Sequence, residues 1–266
     1  MRHTPSEDSP ERTGAASTTW LEGSFDRRDA PGQAPTAAAT VVVVRDGERG
    51  VEVLLLERGS GGAFGGMWVF PGGKVEPADR QAAVRLPGDP EGETVEVAAA
   101  RRAAVREAAE ECGVALDPAS LSVHSYWMPP PSAPRRFATW FFLAPAPGGV
   151  EPSVDGEEIR AARWVPVTSA LAERDAGRLA LAPPTWVTIW QFSGFQSSAD
   201  ALAEAAARPV RRFLTRAARQ GTELALLWEG DAGYHDGDLG RAGPRRRLWV
   251  NEAGPWRAES PAEASG

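Results

Sequence analysis

Residues 106–114 read Arg106-Glu107-Ala108-Ala109-Glu110-Glu111-Cys112-Gly113-Val114. With Glu107 at zero on a helical wheel, Glu110 falls at about 300° and Glu111 at about 40°, so three carboxylates share an arc of about 100°. Val105, Ala108, Ala109 and Cys112 fall at about 160°, 100°, 200° and 140°, an opposite face of small apolar side chains. Upstream, Thr94 is an N-cap and Glu96 a first-turn acid. Downstream, Gly113 is a C′ stop, so the spacing predicts a helix ending at Cys112. Adjacent carboxylates repel, at a cost of roughly tenths of a kcal/mol per pair on a solvated face. A divalent cation turns that repulsion into coordination, and hard oxygen ligands suit Mg²⁺ or Mn²⁺. On the helix alone, a solvated acidic face is the plainer explanation.

The segment before the helix adds a second element. Trp68-Val69-Phe70 reads as a short strand running into Pro71-Gly72-Gly73-Lys74-Val75-Glu76. Glycine permits close backbone approach, so a main-chain group there can face a metal or a phosphate. A bare Gly-Gly pair is otherwise just a turn.

Together the two segments resemble the Nudix signature, G-x5-E-x7-R-E-U-x-E-E-x-G-U, where U is a bulky aliphatic residue. Gly73 is followed five residues on by Asp79, in place of the family Glu. Arg106, Glu107, Glu110, Glu111, Gly113 and Val114 fill the second half, with Ala108 at the first U. Residues 80–105 stand where the signature has seven, an insertion inside the motif. An interrupted motif resembles the branch that includes the peroxisomal coenzyme A diphosphatases of animals. Arg135-Arg136-Phe137-Ala138-Thr139-Trp140-Phe141-Phe142 is similar to their R-R-F-D-T-R-F-F strand, with Ala138 and Trp140 departing from it. Leu181-Ala182-Pro183-Pro184-Thr185 is similar to their L-x-P-P-T motif. Gly66-x3-Phe70-Pro71-Gly72-Gly73 fits the end of a coenzyme A motif of another branch, but Gly62 stands where that motif has Arg.

The resemblance, covering roughly residues 40–195, implies an α/β fold, the Nudix α/β/α sandwich with a mixed β-sheet. It implies that Glu107, Glu110, Glu111 and the carbonyl of Gly72 hold Mg²⁺ or Mn²⁺. It implies that Arg106 pairs with a carboxylate of the motif and holds the loop on the helix. Asp79 or Glu76 would be a supporting acid. Glu158, six residues before Trp164, is the candidate general base; as a residue in Asp155-Gly156-Glu157-Glu158 the plainer explanation is a solvated loop acid. Arg135 and Arg136 are adjacent and face opposite sides of a strand, so one can contact substrate phosphate. His3, His124 and His235 lack metal-ligand spacing. Trp68, Trp127 and Trp140 are candidates to stack on a nucleobase, although tryptophans are mostly core or pocket walls.

Working outward, residues 1–36 are polar and expected to be a disordered arm. Order is expected from Thr40-Val44, with a turn at Asp46-Gly47 and a second strand at Val51-Leu56. Gly59–Gly66 reads as a flexible loop, and residues 77–93, with Pro77, Pro87, Gly88, Pro90 and Gly92, as loop, of which 80–93 is expected to lie outside the core. Strands are expected at 121–127, 137–144 and 162–167, and helices at 169–176, from Thr185, and over 199–207. Residues 209–220 fit helix or strand, and strands are expected at 224–228 and 247–250. This gives a domain over 37–195, a helical and β-hairpin extension over 196–257 and a disordered tail over 258–266.

Composition sets the bounds. The formal charge of −7 argues against a broad nucleic-acid surface. Cys112 is the only cysteine, which excludes an internal disulfide and argues against a cysteine zinc site. No apolar run approaches the ~20 residues of a membrane span. Neither end carries a recognised targeting pattern, so a cytoplasmic protein is expected, without a membrane partner and with its oligomeric state open. The expected activity is metal-dependent hydrolysis of a diphosphate linkage in a small nucleotide-derived molecule, with coenzyme A or an acyl derivative the leading substrate. ADP-ribose, nucleotide sugars and dinucleotides remain open, as does a non-catalytic ligand sensor on the same fold.

Overall fold

The computed structural model describes residues 34–61, 64–83, 93–154, 156–251 and 254–260. The expected arm up to residue 33, Gly62 and residues 84–92 of the expected loop lie outside the described residues.

The main sheet has eight strands: β1 (Thr36–Gly47), β2 (Gly50–Arg58), β3 (Trp68–Val69), β4 (Gly72–Lys74), β5 (Ser122–Met128), β6 (Phe137–Pro145), β7 (Ile159–Pro166) and β8 (Arg211–Leu214). Its order is β3-β2-β1-β6-β5-β8, with β4 pairing β1 and β7 pairing β2. The sheet is mixed, because β1–β6 and β5–β8 are parallel and the other pairs antiparallel. Strand β1 begins at Thr36, earlier than the β-branched run suggested, because Thr36 pairs with Phe137 across the parallel ladder. The hairpin turn falls at Glu48-Arg49 instead of Asp46-Gly47. Gly47 pairs with Gly50, whose φ of 97° is the left-handed geometry the turn needs.

Among the described residues the α-helices are α1 (Pro77–Ala82), α2 (Val95–Cys112), α3 (Val167–Asp175), α4 (Pro183–Phe192) and α5 (Ser198–Ala207). In α2 the Thr94 hydroxyl accepts from Val97 N–H at one end, and Gly113 at φ 69° closes the other. Its buried stripe is alanine, Ala100, Ala103, Ala104 and Ala108, then Cys112, against Val41, Val43 and Phe142 of the sheet. Small side chains let the helix lie close on the strands. Ala109, expected on this face, is exposed instead, because at about 200° it lies past the edge of the contact stripe. The Cys112 thiol is buried, bonded to Ala108 O at 3.1 Å, and pushed up to about 11 by burial. The opposite sheet face packs α4 and α5 through Trp186, Ile189, Phe192 and Ala201.

Residues 77–83 are not loop. Pro77 starts α1, which needs no N–H at its first position, and Glu76 N–H donates to Asp79 Oδ2 at 2.8 Å. Ala83 is buried against Ala98 and Ala99 of α2. The ambiguous stretch 209–220 is two strands, β8 and β9 (Arg216–Gln220). With β10 (Glu223–Leu227), β11 (Arg247–Val250) and β12 (Arg257–Glu259), β9 forms a second antiparallel sheet. Strand β12 runs into the stretch expected to be a tail. The second sheet shows the period of two: Leu224 and Leu226 of β10, with Trp228 beyond its end, face the large core, while Ala225 and Leu227 face a small cluster with Leu239 and Tyr234. Among the described residues, no helix is long and apolar enough to cross a membrane.

Two buried polar groups set stability expectations. Arg247 and Asp231 are both buried, joined by Arg247 Nε to Asp231 Oδ2 at 2.7 Å and by a second hydrogen bond. Burial alone raises the Asp231 pKa, but bonds from Arg247 and from the backbone N–H groups of Arg246 and Gly233 hold it below the usual range. Asp231→Ala strands a buried guanidinium and is expected to cost about 3–5 kcal/mol. A loss under 1 kcal/mol in urea denaturation would contradict that. His124 is fully buried, and burial, then Arg208 and Arg211, lower its pKa to about 3 against the bond to Gln191. With the folded pKa depressed, its contribution to stability is intact above about pH 6.5 and is lost as pH falls. By pH 5 the loss reaches about 2 kcal/mol. His124→Gln is therefore expected to flatten the pH 7-to-5 stability profile by that amount; profiles of equal slope would refute it.

Candidate active site

Strand β4 lies close against β1 and against the carboxylates of α2 because two of its three residues are glycine. A Cβ on Gly72 would lie 2.4 Å from Ala39 O, and one on Gly73 would lie 2.3 Å from Glu107 Oε1. At Gly72 the obstacle is backbone, so only glycine fits there; at Gly73 a side chain would have to push the Glu107 carboxylate aside. The approach lets Gly72 N–H donate to Glu111 Oε2 at 2.9 Å. Thr40 fastens the strand from beneath, donating to Pro71 O at 2.6 Å.

Arg106 ties the neighbourhood together. Its guanidinium reaches Asp79 at 3.1 Å, Glu107 and Glu110 each at 2.9 Å, and Lys74 O at 3.1 Å. These partners, Asp79 first, hold it above even the usual arginine range. Asp79 is buried, so α1 is pinned to α2 through this arginine. The bond expected between Arg106 and the acidic face is present, and Asp79 is its most buried partner.

The three helix carboxylates do not act alike. Glu107 and Glu111 line a cleft of about 680 Å³, together with Gly72, Gly73, Glu158, Arg135 and Arg136. Glu110 does not line it. Its side chain is 59% exposed and turned to Arg106, one helical turn back. Glu111 is the buried one, and burial pushes its pKa up to about 7, against the Gly72 N–H and Arg58, which work to lower it. Burial also raises Glu107, opposed by Arg106. Among the described residues, no three Asp, Glu, His or Cys side chains converge as a ready-made metal cage. The arginines account for this, since each carboxylate is drawn toward a guanidinium.

Arg58 is the site residue that sequence reasoning missed. It ends β2, beside Glu111 at 3.3 Å and in an ion pair with Glu158. The β2–β7 pairing brings Glu158 there: Arg58 pairs with Ile159, and Gly59 N–H donates to Glu158 O at 2.9 Å. The sequence signal, a charged end to an apolar strand before a glycine loop, has no meaning until that pairing is known. Pro183, Pro184 and Thr185 also line the cleft, besides starting α4. Of the candidate stacking tryptophans, only Trp127 lines the cleft, and Phe213 covers one of its faces at 3.9 Å. Trp68 lies under Arg163, and Trp140 against Tyr126. His124 is buried in the core and forms no part of the cleft wall.

Residues 34–183 match the model of the NUDIX domain. Among solved structures, a NUDIX hydrolase from Alicyclobacillus acidocaldarius is 27% identical, with a TM-score of 0.60 over 66% of this chain and 99% of that one. A MutT NUDIX hydrolase from Burkholderia pseudomallei is 24% identical, with a TM-score of 0.42 over 59% of this chain and 98% of that one. Among curated proteins, none matches the sequence. With more than half the chain matched, and the glycine strand laid against an acidic helix end, the chain belongs to the NUDIX domain family and is a Nudix-type hydrolase.

Proposed function

We propose that the chain hydrolyses the diphosphate linkage of coenzyme A or of an acyl derivative, using Mg²⁺ or Mn²⁺. The observation that carries the diphosphate half is the Gly72-Gly73 strand over Glu107 and Glu111 in the wall of the cleft. The donor set fits a hard divalent cation: carboxylate and carbonyl oxygens, with the Glu111 carboxyl pushed up by burial. Glu107 and Glu111 would hold it with the Gly72 carbonyl, and Glu110 would join from the rim after leaving Arg106. When bound, the cation supplies positive charge against the diphosphate and activates water for attack at phosphorus.

The side chains divide the remaining work. Glu158 would accept the proton of the attacking water; the phosphorus–bridging-oxygen bond breaks, and the leaving phosphate keeps the electron pair. Arg58 positions Glu158 and Glu111 and adds charge where the leaving oxygen becomes anionic. Arg135 and Arg136, in the cleft wall, would bind the nucleotide's other phosphates. The coenzyme A half is supported by the two stretches similar to the coenzyme A diphosphatases. Arg135-Arg136-Phe137 and Pro183-Pro184-Thr185 both line this cleft, although they are distant in sequence.

Hydrolysis is expected to need Mg²⁺ or Mn²⁺, and Glu111→Gln is expected to lower kcat at least ~10²-fold, the scale of losing a positioned catalytic group. Turnover that persists in EDTA and in Glu111→Gln would sink the catalytic assignment. For substrate, kcat/KM is compared for coenzyme A, ADP-ribose, NADH and a nucleotide sugar at equal Mg²⁺. Coenzyme A is expected within about tenfold of the best, or ~1.4 kcal/mol of transition-state binding. A larger gap would leave only the general diphosphatase reading.

A further inference from the structure

The cleft does not end with the NUDIX match. Thr215 and Leu226 also form its wall, and both lie beyond residue 183, where the match stops. Leu226 sits on β10 between Ala217 of β9 and Leu248 of β11, so the second sheet presents it. That sheet is locked onto the first by an aromatic joint. Trp127 of β5 stacks on Phe213 of β8 at 3.9 Å and 4°, and Trp228 meets Trp127 edge-on at 5.7 Å. Thr215 is fixed by its N–H to Met128 O at 2.9 Å and by Trp228 Nε1 to its hydroxyl at 3.1 Å.

We infer that Leu226 and Thr215, with Trp127 and Phe141, form a specificity lobe that takes an apolar group carried on the far arm of the substrate, an acyl chain. This rests on the diphosphatase reading for which end of the substrate lies at Gly72-Gly73. The register Gly72–Thr40–Phe141–Ser125 places the strand that carries Trp127 three strand spacings from the glycines, about 14 Å. That is long enough for an extended arm between the scissile phosphates and the lobe.

The chemistry of the lobe selects against a nucleobase. A base needs free hydrogen-bonding groups at its edge and an open aromatic face. Here the polar atoms are spent within the protein. Trp127 Nε1 donates to Ser125 Oγ at 3.0 Å, and Thr215 Oγ1 accepts from Trp228 Nε1 at 3.1 Å. Phe213 covers one face of Trp127. A hydrocarbon chain asks for none of these groups and gains from leaving water.

Calorimetry tests this on the full chain with Ca²⁺, another hard cation for oxygen ligands, in place of Mg²⁺, and with octanoyl-coenzyme A and free coenzyme A as probes, each checked by mass spectrometry to be intact after the titration. Octanoyl-coenzyme A is expected to bind at least tenfold tighter. Leu226→Phe, which narrows the lobe, is expected to cut that ratio about fivefold or more. Leu226→Ala, which widens it, is expected to move the preference to a longer chain. Circular dichroism of each variant establishes that it is folded, and the parent's ratio decides the question if either variant is not. Equal binding of the two probes, no binding of octanoyl-coenzyme A, or variants that move both probes alike would overturn the lobe. None of those results bears on metal-dependent hydrolysis. Conversely, failure to cleave any diphosphate would sink the activity and leave the binding ratio standing.

Discussion

The organisation of this molecule depends on one guanidinium. Arg106 holds a buried acid from α1, two acids from its own helix and a backbone carbonyl of β4. Without a cation there, those carboxylates would repel one another, and the glycine strand would lose a tether to α2. Arginine suits the task because its planar fork presents five donors in fixed directions and stays charged when half-buried. Arg58 does the complementary work from β2, so the acidic end of the helix is bracketed by a cation on either side. The carboxylates are thereby concentrated at one place without a fold that must bear their repulsion.

Much of this was legible in the sequence, and for stated reasons. Helix α2 announces itself by a cap, a stop and a small-residue stripe, all local signals. The mixed sheet follows from strands that do not alternate regularly with helices. Two of the deviations share one cause. Strand β1 begins early and residues 211–220 are strands because pairing partners far along the chain claim them. Ala109 shows the limit of a wheel, which gives an angle but not the width of the surface a helix packs on.

The candidate site was legible in its types and less so in its geometry. Glu107, Glu111 and Gly72 can be named as candidates through the resemblance to the Nudix signature. That Glu110 turns away to Arg106 could not, since both outcomes satisfy the same 100° arc. Arg58 and Glu158 are one hundred residues apart and meet only through the β2–β7 ladder. Thr215 and Leu226 are further still from the motif, and nothing in a leucine on a strand declares that it faces a cleft.

Cys112 ends the helix that carries the acidic residues, and it is the only thiol in the chain. Sealed beneath the sheet, with its proton held well above neutral pH, it is inert to alkylation while α2 stays docked. Any covalent label that appears there has therefore timed an opening of that helix. The protein thus carries a built-in clock for the departure of its acidic helix from the sheet. It can be read by mass after alkylation, without altering a residue.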